Sequence, residues 1–337
     1  LTALWDTTGT EVVRELAAAR RGDGVTSGLA LTLIAVVDER PGSRSTPVKA
    51  VEDAATVSAA MHPCRLLVVT RSVGGHDHTP DRLDAEIIVG GRLGPCEAVI
   101  TRMQGRLALH ADSVVVPLLA PDVPVVTWWH GAPPERISTD PLGVVAERRI
   151  TDVSQAEDPV AALRQRALDY AAGDTDLAWT RVTGWRTLLA SALDAAESDA
   201  FPPRSITIEA PATDVSGLLL AGWLQARLGV RPTLRHDTGA SALASVEITL
   251  ANEKQVEITR YDNTAVLRRT GHEERRLPLL TRSLGDELAE ELRRLDPDEL
   301  YAGALSAATG VPGLEHRPAS RVRTWADDNG TMREVAA

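Results

Sequence analysis

The chain has 337 residues, 43% hydrophobic and 25% charged, with a formal net charge of −11; it is a globular composition on a length that suits two cores. That acidic balance argues against a nucleic-acid or anionic-membrane partner, because both need a local excess of Lys and Arg. No apolar run approaches the ~20 residues of a membrane helix, and Cys64 and Cys96 are too few for a disulfide framework or a four-cysteine zinc site.

At the N-terminus no basic segment precedes an apolar one, so no signal peptide is expected and the reading places the chain in the cytoplasm. Thr8 and Glu11 form a capping box ahead of a helix near 9–21. A strand over 29–37, a helix over 48–61 and a strand over 65–70 follow, then a hairpin of 83–89 and 97–103 around Gly90–Gly94. Cys64 and Cys96 each stand at a strand start; a disulfide between them requires those strands to be neighbours, and a reducing cytosol opposes it. Asp112 is a candidate cap for the apolar stretch 113–119, with His110 beside it, and Val123–Trp128 reads as a buried strand. This order points to a mixed sheet covered by helices rather than a purely doubly wound one.

The segment 131–200 reads as a connector with helices near 141, over 159–172 and over 175–197. Asp140-Pro141, Asp158-Pro159 and Asp296-Pro297 look like helix starts, the aspartate accepting from free N–H groups and the proline needing none. A second sheet region begins after Phe201-Pro202-Pro203 with a strand over 205–209 and a helix capped at Thr213 or Asp214. Leu220, Trp223, Leu224 and Leu228 make that helix's inner stripe, closed by Gly229. A meander over 230–235, 246–250, 256–261, 265–269 and 275–280 follows, with Arg268, Arg269, Arg275 and Arg276 as a solvated strand face. A helix from Ser283 and one from Asp296 complete the region, and the polar chain after Gly310 is expected to be mobile. The expected fold is therefore α/β (α+β): two mixed-sheet domains, 1–130 and 201–310, each covered by helices, joined by the connector 131–200 and followed by a tail, 311–337.

Enzyme templates fail along this order. There is no Gly-x-Gly-x-x-Gly between strand and helix, no Walker A loop, no His-Glu-x-x-His and no Gly-x-Ser-x-Gly. His76-Asp77-His78 carries metal-ligand chemistry but sits on a loop with no further donor marked, so no metal, cofactor or catalytic residue is expected. Seven Trp against one Phe and three Tyr is the anomaly. Trp128 and Trp129 are adjacent on a strand and must face opposite ways. Trp179 and Trp185 lie about 120° apart on a helix that also carries Arg181 and Arg186, with Arg181 one turn from Trp185 and in reach of a cation–π contact. Trp with Arg is the make-up of an interface anchor; the same residues would equally serve to join two domains.

The run Gly173-Asp174-Thr175-Asp176-Leu177-Ala178-Trp179-Thr180-Arg181, continuing to Trp185-Arg186, resembles the signature of the glucose-6-phosphate dehydrogenase assembly proteins, the OpcA family, of actinobacterial type. Colinear segments carry the same resemblance: Trp5–Thr8, Leu31–Ile34, His62–Arg65, Asp112–Leu119, Val123–Trp129, Leu219–Leu224 and Glu290–Asp298. The resemblance implies a non-catalytic partner that assembles or activates glucose-6-phosphate dehydrogenase in the oxidative pentose phosphate pathway. Redox control, associated with cysteines in the cyanobacterial branch, does not carry over to Cys64 and Cys96. Trp128, Trp129, Asp174, Asp176, Trp179, Arg181, Trp185 and Arg186 are the candidate partner- or domain-interface residues. The alternative is a sugar-phosphate-binding protein or enzyme with a cleft between the sheets lined by Arg65, Arg181 or Arg186.

Overall fold

A computed structural model describes residues 1–22, 28–39, 48–72, 80–90, 96–194, 201–236, 239–319, 322–326 and 332–336. The His76-Asp77-His78 cluster and most of the loop Gly90–Gly94 lie outside the described residues. The chain opens with β1 (Thr2–Leu4), α1 (Gly9–Gly22), β2 (Leu31–Glu39), α2 (Val48–Met61) and β3 (Cys64–Ser72). The hairpin β4 (Arg82–Val89) and β5 (Glu97–Gln104) leads to the short helices α3 (Arg106–Leu109) and α4 (Ala111–Val115). Next come β6 (Val125–His130), α5 (Pro141–Val144), β7 (Arg148–Thr151), α6 (Pro159–Asp169) and β8 (Asp174–Asp176).

These eight strands form one sheet, ordered β1-β4-β5-β3-β2-β6-β7-β8. The run β5-β3-β2-β6-β7-β8 is parallel throughout, while β4 opposes β5 and β1 opposes β4. The parallel strands repeat the dinucleotide-fold order, with β2 and β6 flanking the point where the winding reverses. The antiparallel hairpin partner β4 makes the sheet mixed, as its alternating sequence predicts. β2 and β3 are buried on both faces along most of their length, which only a sheet covered twice provides. Val12 and Leu16 of α1 with Val114 and Val115 of α4 cover one face. Val51, Ala55 and Ala59 of α2 cover the other.

Two strands of the expected connector, β7 and β8, thus complete the first sheet. The chain continues with α7 (Leu177–Arg181) and α8 (Thr183–Asp194), β9 (Pro203–Glu209), α9 (Val215–Leu228) and β10 (Thr233–Arg235). Then follow β11 (Ser245–Leu250), β12 (Gln255–Tyr261), β13 (Thr264–Arg269), β14 (Arg275–Pro278), α10 (Leu284–Glu291) and α11 (Glu299–Thr309). The second sheet is ordered β10-β9-β11-β12-β13-β14, with only β10 and β9 parallel. Its inward residues, such as Ile208, Ile248 and Ile258, pack against α8, α9 and α11 in one core that includes Trp179, Trp185 and Tyr301. Leu288 and Leu292 lie apart from that core, on the first sheet with α2. The second region therefore supplies part of the first sheet's cover.

α9 and α11 cross where Gly222 has no side chain. A Cβ there would stand 2.1 Å from the carbonyl oxygen of Ala304 and 2.8 Å from the amide nitrogen of Ala308. Backbone atoms cannot move aside as a flexible side chain would, so Gly222→Ala forces the helices apart. The expected cost is about 1–3 kcal/mol, read as a lower urea midpoint with an unchanged slope.

Most helix starts follow the sequence. Thr8 and Glu11 exchange the two capping-box bonds, and Asp140, Asp158 and Asp214 each accept from first-turn N–H groups. Ser283 and Asp286 make a reciprocal box at α10. Two expected caps differ. At α11 the cap is Asp298, which accepts from Leu300 and Tyr301, because the helix begins after the Asp-Pro pair; the carbonyl of Asp296 accepts from Arg148 instead. At α4 the chain enters through His110 without a side-chain cap, and Asp112 lies inside the first turn, where its charge still suits the helix dipole. Beyond Gly310 the chain folds back: Leu314 is fully buried. Arg317 donates to the carbonyls of Ala167, Leu168 and Tyr170. β15 (Val322–Ala326) and β16 (Met332–Ala336) then pair as a two-stranded hairpin.

Candidate functional site

The signature run begins at the edge of the first sheet. Gly173 has φ +96°, and a Cβ on it would meet the carbonyl oxygen of Glu147 at 2.3 Å. Asp174 forms a buried ion pair with Arg149 and accepts from the Ala171 amide at 2.8 Å. Arg149 also donates to the carbonyls of Ala146 at 3.0 Å and Ala172 at 2.8 Å, tying β7 to the turn before β8. Asp176 is fully buried and accepts from Ala178 N–H at 2.9 Å, Val153 N–H at 3.0 Å and the Thr151 hydroxyl at 2.6 Å. It therefore caps α7 and pins the loop after β7.

Burial, reinforced by the neighbouring Asp152, pushes the Asp176 carboxyl up to about 7. A folded-state value above the unfolded one means that the folded chain binds the extra proton, so this group's contribution to stability falls as pH rises from about 4 to about 7. Subtracting the Asp176→Asn stability profile from that of the parent should leave a fall over this window, on the order of a few kcal/mol. A flat difference in urea unfolding between pH 4 and 8 would refute the assignment.

Three consecutive residues of α7 each reach a different carboxylate of the second region. Trp179 Nε1 donates to Asp298 at 2.8 Å, the Thr180 hydroxyl to Glu291 at 2.5 Å, and Arg181 to both oxygens of Glu287 at 2.9 and 2.8 Å. Arg181 also makes two bonds to Asp152, at 2.8 and 2.6 Å, and one to the Ser154 hydroxyl at 2.8 Å. Arg148, one strand in, pairs with Glu291 at 2.5 Å. Glu287 and Glu291 lie one turn apart on α10, which packs by Leu288 and Leu292 on the first sheet. The result is a latch: α7 and β7 on one side, α10 and the start of α11 on the other. Burial raises the Glu287 carboxyl despite Arg181, while Arg181 itself, although burial opposes its charge, is held above its ordinary value by Asp152 and Glu287.

The four candidate tryptophans are interior. Trp128 and Trp129 do face opposite sides of the first sheet, one toward α2 and one toward α1 and α5. Both are buried, and neither indole N–H has a partner. Trp179 and Trp185 belong to the second core. The cation–π contact differs from expectation: Arg186, not Arg181, stacks at 3.6 Å on a tryptophan, and that ring is Trp179. Arg181 is drawn away by its two carboxylates. Six of the eight candidate residues are thus nearly or fully enclosed, and the two arginines lie against the latch. Asp152, Arg148, Arg149, Glu287, Glu291 and Asp298 complete it; no local pattern marked them as a set.

Beside the latch lies a cleft of about 850 Å³ between the carboxyl ends of β6 and β7 and the second sheet. Its lining includes His130, Asp152, Arg181, Trp185, Asp214 and Glu287. Of the three arginines proposed for such a cleft, Arg181 lines it; Arg65 is buried against Glu97 and the Leu118 carbonyl instead. Arg186 stacks on Trp179 outside the lining. At the carboxyl end of β2, which borders the point where the sheet order would place a dinucleotide, Asp38 pairs with both sides of the Arg71 guanidinium from β3 at 2.6 and 2.8 Å, and Arg71 approaches Asp140 at 3.5 Å. Cys64 and Cys96 are neighbours across β3 and β5, both buried and unlinked: the Cys64 N–H points at Cys96 Sγ, 3.4 Å away. Among the described residues no three His, Cys, Asp or Glu side chains are grouped to hold a metal, and no helix is long and apolar enough to cross a membrane.

Residues 55–168 match a model described as the glucose-6-phosphate dehydrogenase subunit N-terminal domain, and residues 172–305 match its C-terminal domain. The boundary between the two matches falls between β7 and β8, inside the first sheet. The provisionally named OxPP cycle protein OpcA of Synechococcus elongatus is 27% identical over 213 residues, covering 60% of this chain and 48% of that protein. Its namesake in Synechocystis sp. is 23% identical over 211 residues, covering 59% and 44%. The chain thus spans about half the length of the curated relatives it matches. Among solved structures, KijD10, a 3-ketoreductase from Actinomadura kijaniata with NADP, aligns over 83% of this chain and 95% of its own at 15% identity and a TM-score of 0.43. An oxidoreductase from Sinorhizobium meliloti aligns over 86% and 91% at 10% identity and a TM-score of 0.41. Likenesses at this level carry nothing about activity.

Proposed function

The chain belongs to the OpcA family of glucose-6-phosphate dehydrogenase subunits, and from that premise we propose that it is a non-catalytic cytoplasmic partner that binds the dehydrogenase and favours its assembled, active form. The observation that carries this reading is the pair of colinear family matches over 55–168 and 172–305. The chemistry of the two crevices agrees with it. Arg71 and Arg181, one beside each crevice, are already held between Asp38 and Asp140 and between Asp152 and Glu287.

An activator raises activity only if it binds the competent state more tightly than the others. A rigid body does this better than a hinged pair, because less ordering is lost on docking. On this reading the signature serves binding indirectly: Asp174, Asp176, Trp179, Arg181, Trp185 and Arg186 hold the halves as one body, with Trp128 and Trp129 filling the first sheet's two faces. The sugar-phosphate alternative fits less well, since Arg65 and Arg186 stand outside the cleft. Sedimentation velocity of the cognate dehydrogenase with and without the chain tests the reading. Co-sedimentation in a larger dehydrogenase assembly is expected; independent sedimentation at micromolar concentrations would overturn it.

A further inference from the structure

We propose that the cleft beside the latch is a binding site for a small, uncharged, polyhydroxylated molecule. Its place is a crevice outside the carboxyl ends of the parallel strands β6 and β7, beside the point where the winding reverses. β6 ends at His130 and β7 is followed by Asp152, and both residues line the cavity. A volume of about 850 Å³ is within the range of small-molecule sites.

The charges of the lining decide the class of ligand. Arg181 has five N–H donors, and its five hydrogen bonds go to Glu287, Asp152 and Ser154. Arg260 is held by the Asp262 carbonyl and the Thr281 hydroxyl, and Arg282 stands 3.8 Å from Glu290. The lining balances Arg181, Arg260 and Arg282 against Asp152, Asp214 and Glu287, so a phosphate entering here would give up its hydration for no net attraction. Acceptors, by contrast, remain. Each oxygen of Glu287 accepts a bond from Arg181, which leaves lone-pair capacity on both. His130 lines the cleft, and burial lowers the imidazole's affinity for a proton even with Asp152 nearby. A neutral imidazole both accepts and donates. A carboxylate edge and a neutral imidazole suit hydroxyl groups, which donate to the first and exchange either role with the second. Leu279, Leu284 and the Trp185 edge supply the apolar wall on which a carbon skeleton rests.

The test uses the full chain alone, so it stands apart from dehydrogenase binding. Calorimetric titration with glucose and with sorbitol should give saturable binding with a dissociation constant on the order of 1 mM. Glucose 6-phosphate should bind at least about tenfold more weakly, because its phosphate loses hydration in a charge-balanced cleft without a compensating attraction. His130→Ala should weaken glucose binding about tenfold through the lost bond. Ser241→Trp, at the exposed rim, should abolish it by filling the cleft without touching a buried group. Failure of both neutral probes to bind, binding of glucose 6-phosphate as tight as glucose, or unchanged binding in a folded Ser241→Trp variant would each overturn the proposal.

Discussion

Arg181→Ala destabilises the chain by about 3 kcal/mol or more at pH 7, the largest loss expected from a single side chain of the signature. The reason is what remains behind. Asp152 and Glu287 are 4% and 6% exposed as side chains, and without Arg181 they face each other as buried charges that have lost the ion pair they share. Arg181 is 27% exposed, so water relieves part of this, which places the loss toward the lower end for a broken buried pair. The measurement is the urea unfolding free energy. Adding Asp152→Asn and Glu287→Gln to Arg181→Ala should recover part of the loss, because the uncompensated charges are then gone. A loss under about 1 kcal/mol, the value of a surface pair, would show that the latch contributes little.

Gly173→Ala is expected to cost about 3 kcal/mol or more, from two effects acting together. At φ +96° an alanine is strained, and its Cβ would stand 2.3 Å from the Glu147 carbonyl oxygen. Relief means moving the turn that carries Asp174, whose pairing with Arg149 holds β8 on β7. Gly229 provides the control: its φ is +71° with open space around the would-be Cβ. Gly229→Ala should therefore show the backbone strain alone, about 1 kcal/mol. Equal costs at the two positions, by urea unfolding, would mean that the close approach at Gly173 is not what the glycine is for.

Local chemistry was readable in the sequence, and pairing across distance was not. Thr8 with Glu11, Asp158 and Ser283 act within one helical turn, so their roles are written within four residues. Asp296 and Asp298 show the limit: two aspartates around one proline offer the same acceptor, and which one caps depends on where the preceding chain is held, here by Arg148. Alternation places Trp128 and Trp129 on opposite faces. It cannot say that both faces are covered, since Leu288 and Leu292, which pack with Trp128, come from far along the chain. Glu287 and Glu291 look like ordinary solvated residues of an acidic helix; their burial follows from α10 lying on the first sheet. The parallel order of the first sheet is also non-local, and the short strands β7 and β8 sit in a Pro- and Asp-rich stretch that reads as a connector.

These pairings bear on how the family signature works. A motif rich in Trp, Arg and Asp invites a reading as a docking surface, yet Trp179, Thr180 and Arg181 are engaged with Asp298, Glu291 and Glu287 of the same chain. On the proposed reading, the signature keeps the halves in one fixed relation and docking falls to other surfaces. On the same proposed reading the chain alters the dehydrogenase without turning over substrate itself. The direct measurement is the initial rate of cofactor reduction by a fixed concentration of the cognate dehydrogenase, titrated with the purified chain. A saturable rise in rate, with no turnover by the chain alone, is the predicted result. Turnover by the chain alone, or a dehydrogenase rate that stays flat through a saturating excess of it, would contradict the account.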